Sequence, residues 1–395
     1  MSIKDFIISL KADREFQLQI AGHKYIQPGP TRYGELKIHD RLGIALSQYG
    51  IDRLYSHQTE TIGHLRKGCN VVLMTPTASG KSLAYNIPVL EAIIDNPHST
   101  ALYLFPLKGL EQDQMRNLNE LSSLAGLGET GKVYDGDTAS LARRNIREFL
   151  PPVIFTNPDM LHLALLPFHK KWEAFFRNLK FVVIDEVHAY RGVFGSHVAQ
   201  VLRRFRRVCD FYGSAPAFIA ASATIADPSK LAGDLTGLPF EAVKESGAPS
   251  AGKHFFLINP IESPYTVATR LFVQCLRAGI RTIVFTKSRK ITELIYTWTL
   301  NYAPELEEKI SPYRAGFLPK ERREIEARLF SGRLLGVVST SALELGVDIG
   351  GLDCCILCGY PGSVSSTWQR AGRVGRKGEE SLVILIAGQD ALDHY

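Results

Sequence analysis

The chain has 395 residues, 45% hydrophobic and 22% charged, with 33 Gly and 20 Pro, which at roughly 100 to 200 residues per domain suits two or three globular units and excludes disordered, collagen-like and coiled-coil classes. A formal charge of +6, from 46 basic and 40 acidic residues, permits polyanion binding without imposing it. Six cysteines are too sparse for a disulfide scaffold, and no apolar run reaches the length of a membrane span, so a cytoplasmic chain with no membrane partner is expected.

Residues 1–50 precede the first strong strand; IHDRLGIALSQYG within them has helical apolar spacing, and they are expected to form a lead-in that packs on the first lobe. From Asn70, short β-branched runs alternate with longer amphipathic stretches: NVVLMTPT, ALYLFP, VIFTNP, FVVIDEVH and FIAASAT. That rhythm is βαβ, a parallel sheet covered by helices. Glu241–Lys253 is small, polar and aperiodic, which predicts a linker, set at residues 246–254 between a first lobe at 51–245 and a second at 255–395. Beyond Phe255 the alternation resumes with TIVFTKSR, GVVSTS, CCILCGYP and LVILIAG. The predicted fold class is α/β, two tandem lobes, each a mostly parallel sheet flanked by helices.

TPTASGKS, Thr75–Ser82, lies between a strand and an apolar stretch and fits G-x-x-x-x-G-K-[ST], except that Thr75 replaces the first glycine. In such a loop the backbone N–H groups of Thr77, Ala78, Ser79 and Gly80 face phosphate oxygens. Lys81 then meets the β- and γ-phosphates, and the Ser82 hydroxyl ligates Mg²⁺, a hard cation that prefers oxygen. FVVIDEVH puts Asp185 and Glu186 at the end of an apolar strand. Asp185 is expected to hold Mg²⁺ directly or through water, and Glu186 to orient and deprotonate the attacking water. An Asp-Glu turn that merely caps the next helix is the bland alternative, and it loses weight beside TPTASGKS. PLKGL, TNPD and SAT also begin where predicted strands stop, the edge on which open α/β sheets gather ligands.

In the second lobe, QRAGRVGRKG spaces Arg373 and Arg376 three apart, so on a helix both guanidinium groups share a face and suit a γ-phosphate. A solvated basic patch is the alternative. Cys355 and Cys358 have C-x-x-C spacing, but Cys69, Cys209 and Cys275 form no second pair and DCCILC reads as a buried strand, so no metal site is expected. RRFRR, Arg203–Arg207, reads as a solvated helix face.

Together these residues resemble the superfamily 2 helicases of the DEAD/DEAH-box kind, from about Arg32 to the end of the sequence. Tyr55 and Gln58 in LYSHQ resemble the adenine-reading Q motif, Thr75–Ser82 motif I, Pro106–Leu110 motif Ia, Thr156–Asp159 motif Ib, Asp185–His188 motif II and Ser222–Thr224 motif III. Phe285–Arg289 resemble motif IV, Thr340–Asp348 motif V and Gln369–Arg376 motif VI. DEVHAYRGVFGSHVAQVLRR, YDGDT, SATIADP, ALELGVDIGGLD and GYPGSVSSTWQRAGRVGR resemble the mitomycin repair factor A branch, itself similar to yeast and archaeal relatives of the fourth RecQ-type helicase. Leu107 and Gly109 depart from the more usual Thr and Ala of motif Ia, and Arg370 stands where a second Gln is usual.

The resemblance implies RecA-like lobes, ATP with Mg²⁺, and 3′ to 5′ DNA unwinding in repair. It implies that arginines of the second lobe act on ATP held by the first. It assigns Gly346, Asp348 and Gln369 to the junction of nucleotide and strand, and coupling to His188, Ser222 and Thr224. Lys108, Thr156, Lys287, Ser288 and Thr340 sit at strand ends with the cations and hydroxyls that backbone-directed binding needs, so little sequence preference is expected. The expected partner is single-stranded or tailed duplex DNA, with RNA less favoured, and a repair nuclease beside it; a monomer is expected. Branch members usually continue into a cysteine-containing domain, so a sequence ending at Tyr395 is expected to be a truncated chain or a minimal member. A strand-stimulated ATPase that remodels RNA or strips proteins, and a nucleotide-binding scaffold without catalysis, are the alternatives.

Overall fold

The computed structural model describes the chain except residues 77, 78, 107, 224, 315, 345–350, 376–378, 394 and 395 and the side chains of Lys108 and Pro319. It divides into two compact units, Thr31–Ala248 and a second made of Met1–Pro30 with Pro249–Tyr395. The chain opens with a helix, Ile3–Ala12, and strand β1, Ile20–Ile26.

The first unit is built on β2 (Val71–Met74), β3 (Thr100–Leu104), β4 (Gly131–Val133), β5 (Val153–Thr156), β6 (Leu179–Ile184), β7 (Ala217–Ser222) and β8 (Glu241–Val243). They form one all-parallel sheet in the order β4-β5-β3-β6-β7-β2-β8. Side chains alternate between faces: Leu73, Tyr103, Phe155, Val183 and Ile219 enter one core, while Val72, Leu102, Ile154, Val182 and Phe218 enter the other. A strand covered on both faces is apolar at most positions, and a buried hydroxyl such as that of Thr156 must bond within the protein, which is why these runs are nearly continuous. Because β5, β3, β6, β7 and β2 are adjacent and parallel, their carboxyl ends lie along one edge.

The second unit holds β9 (Lys253–Ile258), β10 (Thr282–Phe285), β11 (Ile310–Tyr313), β12 (Gly336–Ser339), β13 (Cys354–Cys358) and β14 (Ser381–Ile386). The sheet order is β1-β9-β14-β13-β10-β12-β11, parallel except for β1 against β9. On β13, Cys354, Ile356 and Cys358 face one core and Cys355 and Leu357 the other. The C-x-x-C pair is therefore split across the sheet, and burial pushes the Cys355 and Cys358 thiols up to about 12.

Two expectations are corrected. The first 30 residues, expected to belong with the first lobe, are part of the second unit: β1 pairs with β9, and Phe6, Ile7, Leu10 and Phe16 join Phe256, Ile258 and Leu271 in its core. Only the end of the expected lead-in, through Leu42, Ala45 and Leu46 of the helix Asp40–Gln48, belongs to the first. The aperiodic stretch is also shorter than it reads. Glu241–Val243 is β8, in register with Val71–Leu73, and Lys253 already opens β9. Among the described residues no helix is long and apolar enough to cross a membrane.

Candidate nucleotide site and the second-unit motifs

β2 ends at Met74 and the chain turns into the helix Lys81–Asp95 through Gly80, whose φ of +78° is left-handed. A Cβ there would meet Gln58 Nε2 at 2.8 Å, so a side chain at this position would also have to displace the Gln58 amide. The loop is tied across itself by Thr75 Oγ1 and Ser79 Oγ at 2.6 Å. Lys81 Nζ donates to Thr75 O (2.8 Å) and Pro76 O (2.9 Å). Burial holds the Lys81 pKa below its usual value, opposed by the nearby Glu186 and Asp185 carboxylates. Thr77 and Ala78 lie outside the described residues.

Gln58 is a brace for this loop. Its Oε1 accepts from Tyr55 N and its Nε2 donates to Gly80 O, both at 2.8 Å. Tyr55 stacks on Tyr33 at 5.6 Å, and the Arg53 guanidinium covers Tyr33 at 4.3 Å.

β6 delivers the carboxylates. Asp185 N donates to Leu104 O of the adjacent β3 (2.9 Å), while the Tyr85 hydroxyl and Glu186 N donate to the Asp185 carboxylate at 3.2 and 2.8 Å. Burial first, and the Glu186 charge second, raise the Asp185 pKa from 3.8 to about 6 against the pull of Lys81. Glu186 has φ +49°, the one left-handed non-glycine among the described residues, and such strain of about 1–3 kcal/mol collects at functional sites. His188 Nδ1 lies 3.3 Å from Glu186 Oε2 and 3.4 Å from Ala223 N, joining motif II to the chain beside Ser222. The Ser222 Oγ is buried with no hydrogen-bond partner among the described residues, and Thr224 lies outside them.

These residues fit a magnesium nucleotide. A left-handed glycine opens a helix N-terminus, a lysine donates to two loop carbonyls that phosphate oxygens could replace, and a carboxylate is raised by burial and by the charge beside it. No group of three or more His, Cys, Asp or Glu converges among the described residues. A magnesium ion held by Ser82, Asp185 and phosphate oxygens needs none.

In the second unit the helix Val364–Ala371 stops at Gly372. Val374 bridges to Leu352 and Gly375 turns at φ +83°, so Arg373 lies beyond the helix. Arg376, Gly346 and Asp348 lie outside the described residues. Gln369 and Arg373 are buried, and Arg373 Nη2 donates to the Glu344 carbonyl. The Glu344 carboxylate accepts from Arg370 Nε at 2.9 Å and from the Ser366 hydroxyl, and the Arg370 guanidinium sits 5.2 Å over the Phe285 ring. Thus Arg370, a departure from the usual pattern, locks motif VI to motifs V and IV.

The DEAD/DEAH box helicase family matches residues 55–231, and the helicase conserved C-terminal domain matches residues 267–378. The chain belongs to the DEAD/DEAH-box helicases of superfamily 2. Over its whole length it is 47% identical to an uncharacterized ATP-dependent helicase, YprA, of Bacillus subtilis, covering 54% of that protein. It is 36% identical to the ATP-dependent helicase hrq1 of Schizosaccharomyces pombe, covering 39% of it. It superposes on the DUF1998 helicase MrfA bound to DNA and AMPPNP with a TM-score of 0.95 at 46% identity, covering all of this chain and 56% of that one. The chain spans about half the length of YprA and less of hrq1.

The remaining helicase motif residues divide by exposure. Thr156 is fully buried and its hydroxyl donates to Tyr134 O at 2.6 Å, so it ties β5 to the chain after β4 and is not available to a strand. Lys108 opens the helix Lys108–Leu124. Lys287 pairs with Asp390 at 2.6 Å and Asp393 at 3.4 Å; the Ser288 Oγ caps the next helix through Ile291 N. Lys287 lines a cavity of about 520 Å³ with Thr286, Ser341, Tyr360 and Arg370. Thr340 follows β12, beside β10, on the same edge.

Asp185 supplies a sign test. Its folded pKa lies above its unfolded one, so the folded protein binds the extra proton between about pH 4 and 6. At pH 7.5 the ionised group therefore costs stability, and the cost fades as pH falls through that window. Asp185→Asn, with Tyr85 still able to bond the amide, is expected to stabilise the metal-free first lobe at pH 7.5 by about 2–3 kcal/mol. The gain should vanish near pH 4, as denaturant titrations at the two pH values will read. Nucleotide hydrolysis should be lost at both.

Proposed function

We propose that the chain is the motor of an ATP-dependent DNA helicase or translocase, coupling ATP hydrolysis to 3′ to 5′ movement on single-stranded DNA in repair. The observation that carries this is the meeting of the Lys81 loop with Asp185 and a strained Glu186 on one edge of one parallel sheet. The choice of DNA is supported by the MrfA structure, in which that relative is bound to DNA and AMPPNP.

In this reading Lys81 exchanges its two carbonyl partners for phosphate oxygens, and the N–H groups opening the helix Lys81–Asp95 add the helix dipole. Ser82 and Asp185 hold Mg²⁺, which when bound neutralises phosphate charge. Glu186 accepts the proton of the attacking water, and its left-handed backbone sets the carboxylate beside His188. His188 passes the state of that carboxylate to Ala223 and hence to motif III. Arg373 and Arg376 supply guanidinium groups to the hydrolysis step. Lys287, Ser288 and Thr340 hold the strand by its backbone, phosphate taking over Lys287 from Asp390. Opening one base-pair step costs about 1.4 kcal/mol, so ends fray thermally and directional stepping suffices to trap them. The same reading takes the chain as a cytoplasmic monomer, with tailed duplex DNA as substrate and a repair nuclease as partner.

Single-stranded DNA is expected to raise ATP turnover by at least ~10-fold and RNA by less than ~2-fold, as steady-state hydrolysis will measure. Stimulation by RNA alone would overturn the DNA assignment. A duplex with a 3′ tail should be opened and one with a 5′ tail left intact.

A further inference from the structure

His57 stands between the two residues of LYSHQ that resemble the Q motif, and it is fully buried. Its Nε2 lies 3.0 Å from Ser79 O in the phosphate loop, and its Nδ1 lies 3.1 Å from Gly247 N. A carbonyl only accepts and a backbone N–H only donates, so Nε2 carries the proton and Nδ1 the bare lone pair. Burial holds the imidazole pKa below its usual value, with Lys81 adding to the effect against the Ser79 bond, which keeps the ring neutral. A rigid ring with one fixed tautomer thus spans from the phosphate loop to Gly247.

The far end of this span is fixed as well. Gly247 O accepts from Arg32 N at 2.8 Å, and Arg32 O accepts from Ser56 N at 2.9 Å. A Cβ at position 247 would meet Arg32 O at 2.3 Å and Ser56 Oγ at 2.4 Å, so only glycine lets the chain pass. One residue later the first unit ends, and the chain enters the second at Pro249. At the near end, Ser79 belongs to the loop whose N–H groups are proposed to turn toward phosphate, and a change in its carbonyl direction must be taken up by the ring that bonds it.

We propose that His57 is a positioning residue that carries nucleotide occupancy from the Ser79 carbonyl to Gly247, and so to the segment by which the chain leaves the first lobe. This rests on the nucleotide reading above. A histidine that merely fills the core would hold the fold and leave Gly247 indifferent to nucleotide.

The Gly247 amide is itself the reporter. In the intact chain, AMPPNP with magnesium is expected to slow hydrogen exchange in the segment holding Gly247 by ~10-fold. His57→Gln can place its amide N–H where Nε2 stands, for Ser79 O, but has no acceptor at the position of Nδ1, for Gly247 N. It should bind AMPPNP within ~3-fold of the parent by calorimetry, lose the exchange response, and lower DNA-stimulated kcat by ~10-fold with KM for ATP little changed. His57→Asn can place its carbonyl oxygen where Nδ1 stands, for Gly247 N, but is too short to donate to Ser79 O from the position of Nε2, and it should lose the response too. Uptake of AMPPNP without a change at Gly247, or a full response in His57→Gln, overturns this inference alone. A chain that takes up no AMPPNP overturns the nucleotide reading and this inference together.

Discussion

Glu186→Gln is expected to lower kcat for ATP by ~10²–10⁴ while nucleotide affinity stays within ~3-fold, the signature of losing a general base and little else. Glutamine keeps the length and the contact with His188, 3.3 Å away, but cannot take a proton from water. The charge it removes is the second cause of the raised Asp185 pKa, so Asp185 should ionise more readily and hold a cation at least as well. Binding and turnover therefore move apart. Single-turnover hydrolysis beside calorimetric titration with AMPPNP measures both, and turnover near the parent value would remove Glu186 from the mechanism.

Glu344→Ala should have the largest effect on stability, about 3–5 kcal/mol, because it strands a cation in the interior. The side chains of Glu344 and Arg370 are 11% and 9% exposed, so neither charge is well solvated. Losing the carboxylate leaves Arg370 with the Phe285 face and frees Ser366. The transition of the second lobe should fall and that of the first stay, since every partner named lies within Pro249–Tyr395. Glu344→Gln retains an acceptor for Arg370 Nε and should recover part of the loss. Removing both members with leucine should cost far less than removing one. A loss under ~1 kcal/mol in Glu344→Ala would show that water reaches the pair.

The first-lobe sheet was legible because β3, β5 and β6 are buried on both faces and leave nearly unbroken apolar runs. The phosphate loop and the Asp185–Glu186 pair were legible because each follows such a run. β8 was not, since three residues of EAV in a polar setting carry no period. Nor was β1: IAGHKYI is half exposed, and its partner β9 lies more than two hundred residues away, beyond the reach of local pattern. The arginine spacing suggested a helix through Arg373, while Gly372 and Gly375 were the signal that it ends. Thr156 looked available to a strand because sequence does not show that the Tyr134 carbonyl takes its hydroxyl. His57 and Glu344 left no trace, for their roles depend on which backbone carbonyls and side chains the fold brings to them.

The pairing of β1 with β9 also bears on how the molecule is made. The first lobe is one continuous stretch, Thr31–Ala248, set inside the sequence of the second, so it can fold as it emerges from the ribosome. Met1–Pro30 meet Lys253–Ile258 across more than two hundred residues, so their pairing is a non-local contact that carries loop-closure entropy. Until that pairing forms, Phe6, Ile7, Leu10 and Phe16 are apolar surface without the core they fill in the folded chain.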